Sequence, residues 1–435
     1  MTIATRLARF ALSDTPGSAE ARRFARLSLF DWATAGLAGR NEPVSRAARN
    51  FAVADGASTS ATMIGGGRSD ARTAALVNGT TSHALDYDDT HFLHVGHPSV
   101  VVMSAALAVA EKENVSGRAF LDALVVGLEA TCRVGDWLGR AHYEAGFHQT
   151  GTSGAFGATI AAGRLLGLDE PSMVAALGLA TTRASGLKSQ MGTMGKPLNA
   201  GFAAEAGVTC ALLAQAGVVS NPRGFEDRQG FGPTHAGAGR ETAFAGLGQE
   251  WVFPEISYKF HACCHGLHAT LEALRELRQG GLRPDSIARV VIWTHPRWFD
   301  VCNQPAPTTG LEAKFSYRLV TAMALHGLDT ADLAVYDAAT CAQPELVALR
   351  DRVTVEADPS LSDTQARVTV TTHDGRQLDA GHDLLAAREA ATLEARLMAK
   401  SATLLGESDA QALWQAVDGL DGASGVGSLA LRLAD

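Results

Sequence analysis

The chain is 435 residues long, and with 46% hydrophobic and 19% charged residues it carries enough apolar material for more than one core. A formal net charge of −9 argues against nucleic acid as a partner, because phosphate backbones are bound by basic surfaces; a local group of cations inside an acidic protein still suits a small anionic substrate. Six scattered cysteines make no disulfide framework, no apolar run approaches the roughly 18 residues of a membrane span, and the opening MTIATRLARFALSD is amphipathic without a signal-peptide core, so a cytoplasmic protein with no membrane partner is expected.

Helical spacing of apolar residues predicts helices over 19–40, 43–55, 69–86, 98–112, 117–138, 152–166, 170–180 and 200–216. Gly-containing stops follow several of them, as at Leu166-Gly167 and Ala216-Gly217. Small residues crowd their faces, as in AFGATIAAG and FAAEAGVTCALLAQAG, which predicts close helix–helix packing. Strand signals come later: 289–294, 352–356, and a hairpin of 366–372 with 376–378 around Asp374-Gly375. The segment 388–405 returns to helix. The expected fold class is mostly α: a large helical domain over 1–268 completed by 395–435, and a smaller α+β domain over 269–394.

The densest chemistry lies in 78–99, NGTTSHALDYDDTHFLHVGHPS. It holds His83, His91, His94, His97, Asp86, Asp88, Asp89 and Thr90, with no Lys, Arg or Glu. An ordinary solvated helix would carry those three types. Proton-exchanging groups gathered without them point to acid–base chemistry or a metal. A second segment, GFHQTGTSGAFG, sets His148 before hydroxyls and glycines at a helix start, which suits an anionic oxygen or a plain N-cap. A third, GLKSQMGTMGKPLNAG, places Lys188 and Lys196 among glycines, as carboxylate ligands or as solvated loop charges; the spacing of a phosphate-binding P-loop is absent. A fourth, YKFHACCHGLH, combines Lys259, His261, His265 and His268 with adjacent Cys263 and Cys264. Adjacent side chains diverge by about 100° on a helix and no CxxC is present, so no metal is expected. In EAKFSYRLVTAM, Lys314, Tyr317 and Arg318 either face a cleft or form the polar side of a helix.

The order HALDYDDT…HPS, GFHxTGTSGAFGA, GxMGKPLNAGFAAEAG, GFEDRQGF, YKFHACCHGLH and EAKFS resembles the MmgE/PrpD family over about residues 5–420. The resemblance implies a cofactor-independent enzyme, a homodimer with an α+β lid, acting on a small di- or tricarboxylate. It implies Asp86, Thr90 and His97 at the site, with His148, Lys196 and Lys259. Lysines pairing with carboxylates, with Thr90 adding a hydrogen bond, make chemical sense. His97 and His148 are the candidates for moving protons and Asp86 for orienting one of them, so the catalytic set is His97, His148 and Asp86. Thr90, Lys196, Lys259, Tyr317, Arg318 and His261 form the substrate-binding set.

The chain also departs from the family pattern. One residue is added between Thr90 and His97, Asn199 stands where many members have His, His261 and Ala262 precede the cysteine pair, and Leu319 replaces an aromatic hydroxyl. These changes in hydrogen-bonding groups point to a substrate other than 2-methylcitrate itself. The reaction expected is a 2-methylcitrate dehydratase-like dehydration. Epimerisation of the iminodisuccinate type and decarboxylation of the cis-aconitate type are the alternatives, with a non-catalytic metabolite-binding protein behind them.

Overall fold

The computed structural model describes residues 1–14, 17–54, 59–386 and 389–435. The predicted helix end at Asp55 and the predicted helix start at Arg388 lie outside the described residues. The chain is 60% helical with only small sheets, which bears out the mostly-α reading.

The chain divides into two compact units: Met1–Tyr258 with Leu393–Asp435, and Lys259–Thr392. The first boundary falls ten residues earlier than the 268 expected from sequence. The helix His268–Gln279 packs on the strands of the second unit, and its lead-in from Lys259 goes with it.

The first unit begins with α1 (Ile3–Ala11), α2 (Ala19–Gly39) and α3 (Pro43–Ala54). The N-terminal ends of α1 and α2 are satisfied by Thr2 and Ser18 hydroxyls, each accepting a backbone N–H. A minimal ribbon of Ala61–Thr62 on Arg68–Ser69 leads into α4 (Ala71–Ser82). There follow α5 (Pro98–Glu113), α6 (Gly117–Glu144), α7 (Gln149–Leu165), α8 (Glu170–Arg183) and α9 (Gly195–Gln215). The long helix predicted over 69–86 stops at Ser82, because the chain turns at His83 and Asp86 takes a left-handed φ of 52°. The predicted loop around Lys196 is instead the first turn of α9. Its Pro197 is tolerated there, since the first N–H groups of a helix lack intrahelical partners.

Close crossings explain the glycine-rich faces. A methyl group on Gly201 of α9 would collide with Thr80 and the Leu76 carbonyl of α4. One on Gly157 of α7 would strike Thr131 and the Gly127 carbonyl of α6, and one on Gly207 of α9 would strike Ala158 of α7. Among the described residues α9 alone has the length and apolarity of a membrane span, an exception to the sequence reading; 67% of its apolar window is buried. Its composition is accounted for by packing against α4, α7 and α8.

The second unit contains the sheet β1 (Ile287–Thr294), β2 (Val353–Ala357), β3 (Gln365–Thr372) and β4 (Gln377–Asp383), in spatial order β2-β1-β3-β4. β1 pairs parallel with β2 and antiparallel with β3, and β3 with β4 makes the predicted hairpin. Gly375 supplies the turn with a φ of 85°, a conformation open to glycine at little cost. Ala366, Val368, Val370 and Thr372 alternate into the interior. The helix α10 (His268–Gln279) packs on β3 and β4, and α11 (Tyr317–His326) and α12 (Pro344–Arg350) pack together beside it. The chain then returns to the first unit through α13 (Ala390–Leu405), α14 (Glu407–Asp418) and α15 (Gly427–Ala434), of which only α13 was predicted.

Candidate active site

Three helix starts of the first unit set the candidate side chains. His97 is the residue before α5, His148 the residue before α7, and Lys196 lies in the first turn of α9. Neither histidine spends its side chain on capping. The backbone of His97 is fixed by its N–H donating to Thr150 Oγ1 at 3.0 Å, and that of His148 by its N–H donating to the Gly186 carbonyl at 3.0 Å. Helices of this length present partial positive charge at their N-termini, so the same frame that aims the imidazoles favours a bound carboxylate.

The segment 83–97 supplies the acids. Asp86 sits in the left-handed region, stabilised by its N–H donating to the His83 carbonyl at 3.2 Å. A non-glycine residue in this conformation is strained, and such strain gathers where a side chain must be aimed for function. Asp86 Oδ1 lies 2.6 Å from Lys196 Nζ and 3.4 Å from His97 Nε2. On the other edge of the same ring, His97 Nδ1 lies 3.1 Å from Asp88 Oδ2. Asp88 also accepts from His83 Nδ1 at 2.9 and 3.0 Å. The His83 ring meets His97 edge to face at 4.6 Å and lies nearly parallel to His148 at 6.0 Å. Asn199 Nδ2 is 3.1 Å from His148 Nδ1.

Burial sets the charges. Burial alone would raise the Asp88 carboxyl, but the His83 and His97 imidazoles hold it well below the usual carboxylate range, so it is a fixed anion. Burial, then the nearby Lys196 ammonium, pushes His148 well below its ordinary 6.5 and keeps it neutral near pH 7. Asp89 is the opposite case: burial and the neighbouring Asp31 push it well above the usual range. Its Oδ2 accepts from Ser99 Oγ at 2.5 Å, and it belongs to the scaffold.

The remaining residues fall into two groups. Thr90 is pinned by reciprocal backbone bonds with Ser257, each 2.8 Å, and its hydroxyl donates to the Ser257 carbonyl at 3.4 Å. His91 and His94, members of the imidazole-rich run, build the loop. His91 Nε2 donates to the Val252 carbonyl at 2.8 Å, its Nδ1 accepts from the His94 N–H at 3.3 Å, and His94 Nδ1 meets Ser153 Oγ at 3.0 Å.

Lys259, His261, Tyr317 and Arg318 belong to the second unit. There Tyr317 is fully buried, with its hydroxyl 2.7 Å from both Thr294 Oγ1 and the Gly266 carbonyl, so this hydroxyl is committed to the fold. His261 is likewise engaged, with Nδ1 2.6 Å from Thr330 Oγ1 and Nε2 3.3 Å from Glu272. Arg318 Nε has no hydrogen-bond partner among the described residues.

The sequence reading did not assign roles to Asp88, His83 and Asn199. Asp88 and His83 were visible as part of the acidic and imidazole-rich run, and Asn199 as a departure from pattern; which nitrogen each would face depends on contacts between segments. The orienting carboxylate expected at Asp86 is supplied to Nδ1 of His97 by Asp88. Ligand atoms of His83, Asp86, Asp88 and His97 all lie within 4.8 Å of one another and could hold a divalent cation. In this arrangement the Lys196 ammonium already balances Asp86.

A buried pair of histidines, one flanked by an anion, beside a lysine and three helix N-termini is the equipment of a general acid–base site for a carboxylate ligand. The profile of the MmgE/PrpD N-terminal domain matches residues 2–241 and that of the MmgE/PrpD C-terminal domain matches residues 261–420. The chain belongs to the MmgE/PrpD family. It is 36% identical over 232 residues to a cis-aconitate decarboxylase-like protein, oryM, of Aspergillus oryzae, covering 49% of this chain and 48% of that protein. It is 34% identical over 232 residues to a cis-aconitate decarboxylase of Aspergillus terreus, covering 50% and 47%. With the Homo sapiens cis-aconitate decarboxylase it shares 27% identity over 319 residues, covering 69% and 66%. The chain thus spans about half the length of the first curated relatives it matches.

Proposed function

We propose that this chain is a lyase that removes carbon dioxide from a small unsaturated tricarboxylate of the cis-aconitate type, by acid–base chemistry of its own side chains. The observation that carries the reading is His97, held between Asp86 and Asp88 with Lys196 alongside, in a family whose matched relatives bear the cis-aconitate decarboxylase name. Those relatives move decarboxylation ahead of the dehydration expected from sequence, which keeps second place.

In this reading Lys196 and the helix N-termini hold substrate carboxylates. The bond between the methylene carbon and its carboxylate breaks, and its electron pair forms a new terminal double bond. The former double-bond pair shifts to the far alkene carbon, the one that bears hydrogen, which takes a proton from the His97 imidazolium. Asp88 stabilises that imidazolium from the Nδ1 side. Water then returns the proton to His97. No external oxidant or reductant enters the balance.

The test is proton NMR in D2O with cis-aconitate, 2-methylcitrate, citrate and iminodisuccinate, comparing the protein with His97→Ala. The expected outcome is a new terminal-methylene signal and one deuterium at the former alkene C–H carbon, now saturated, from cis-aconitate only, lost in the variant. Water loss from a hydroxy acid would replace this reading with dehydration. Exchange without bond cleavage would replace it with epimerisation.

A further inference from the structure

The Asn199 amide lies against the His148 ring. Its Nδ2 lies 3.2 Å from the Leu187 carbonyl and 3.1 Å from His148 Nδ1. A carbonyl oxygen only accepts, so it fixes the orientation of the amide: the NH2 group faces both partners and gives one hydrogen to each. His148 Nδ1 must then present its lone pair. Being neutral in this surrounding, the ring holds its single proton on Nε2. The reverse amide orientation would set two oxygens against each other at Leu187. His97 is built the other way, with a carboxylate beside its Nδ1 that favours a proton on that nitrogen.

Resting on the proposed lyase reading, we infer that Asn199 is a positioning residue that locks His148 as the Nε2–H tautomer. His148 then donates a hydrogen bond to the substrate and does not accept a proton from it. Proton transfer falls to His97. The two imidazoles, alike in sequence, are made unlike by Asn199 on one and Asp88 on the other.

The test is nitrogen NMR of the full chain labelled in its histidine rings, with the His148 signals assigned by their loss in His148→Gln. The expected result is a pyridine-type Nδ1 and a pyrrole-type Nε2 in the wild type. Asn199→Asp, which offers Nδ1 an acceptor, is expected to move the proton to Nδ1, and Asn199→Ala to give averaged signals from both tautomers. In turnover, Asn199→Asp should lower kcat/KM about 10- to 100-fold, the size of one hydrogen bond to a charged group. His148→Gln, whose amide still donates, should retain more activity than His148→Ala. A protonated Nδ1 in the wild type, or a tautomer unmoved in both Asn199 variants, overturns the inference. The ring signals are read without substrate, so absence of turnover on the carboxylate panel with the Nε2–H tautomer in place rejects the lyase reading and leaves the role of Asn199 standing.

Discussion

In the proposed reaction, Asp88 is the residue on which the work of His97 depends. It is buried, ionised and shared between two imidazoles, so removing its charge takes away both the orientation of the His97 ring and the stabilisation of its cation. Asp88→Asn should therefore lower kcat by about tenfold or more with KM little changed, the pattern of an interaction that strengthens in the transition state. His97→Ala should cost about 10²- to 10⁴-fold, the span of a lost general acid. Steady-state kinetics on the two variants checks both, and an unchanged kcat in Asp88→Asn would remove Asp88 from the mechanism. The individual side chains were largely legible in the sequence, because Asp86, His97, His148 and Lys196 are proton carriers and charges where packing alone asks for none. Their wiring was not. Whether Asp86 or Asp88 faces a given ring nitrogen depends on one left-handed residue and on how α5, α7 and α9 converge.

At the scale of elements, the crossings and the loop carry separate consequences. The α4–α9 crossing has no room for a methyl group at Gly201, so Gly201→Ala should destabilise the chain by about 1–3 kcal/mol, read from urea unfolding. The loop 83–97 carries a pH dependence through His91, which burial lowers from 6.5 to about 4 while its N–H serves the Val252 carbonyl. Between those two values the unfolded chain binds the proton and the folded chain does not. Stability therefore falls as pH drops from 6.5 towards 4, by about 3 kcal/mol at most from this residue. His91→Gln, which keeps a donor for Val252 and has no proton to gain, should flatten the fall of melting temperature over that range; an identical slope would show that other groups carry it. Helices and strands were read well where period and turn chemistry agreed, as in the hairpin around Gly375. The reading missed where tertiary contacts override pattern: 83–86 leaves the helix to aim Asp86, and Lys196 enters one although glycines surround it.

At the scale of the whole molecule, the first unit is made from two stretches separated by the second unit, and one buried charge ties them. Lys400 on α13 donates to Asp31 Oδ1 at 2.6 Å and to the Tyr87 carbonyl at 2.7 Å. Its ammonium also rests 4.1 Å from the centre of the Tyr87 ring. Tyr87 stands between Asp86 and Asp88, so a residue of the returning segment holds the backbone of the candidate site. Lys400→Met leaves Asp31 buried without its cation and should cost about 3 kcal/mol. It should also lower activity at temperatures where the variant remains folded; full activity there would show that Tyr87 is held by other contacts.

That tie has a consequence for the order in which the protein is made. A ribosome delivers residues 259–392 before the returning helices, so the second unit has its whole sequence while the first still lacks 393–435. Asp31 and the Tyr87 carbonyl must wait for a partner 369 and 313 positions further on. The part of the chain that carries the candidate site is then the last to set, and a nascent chain released early would display the acidic loop without the lysine that anchors it.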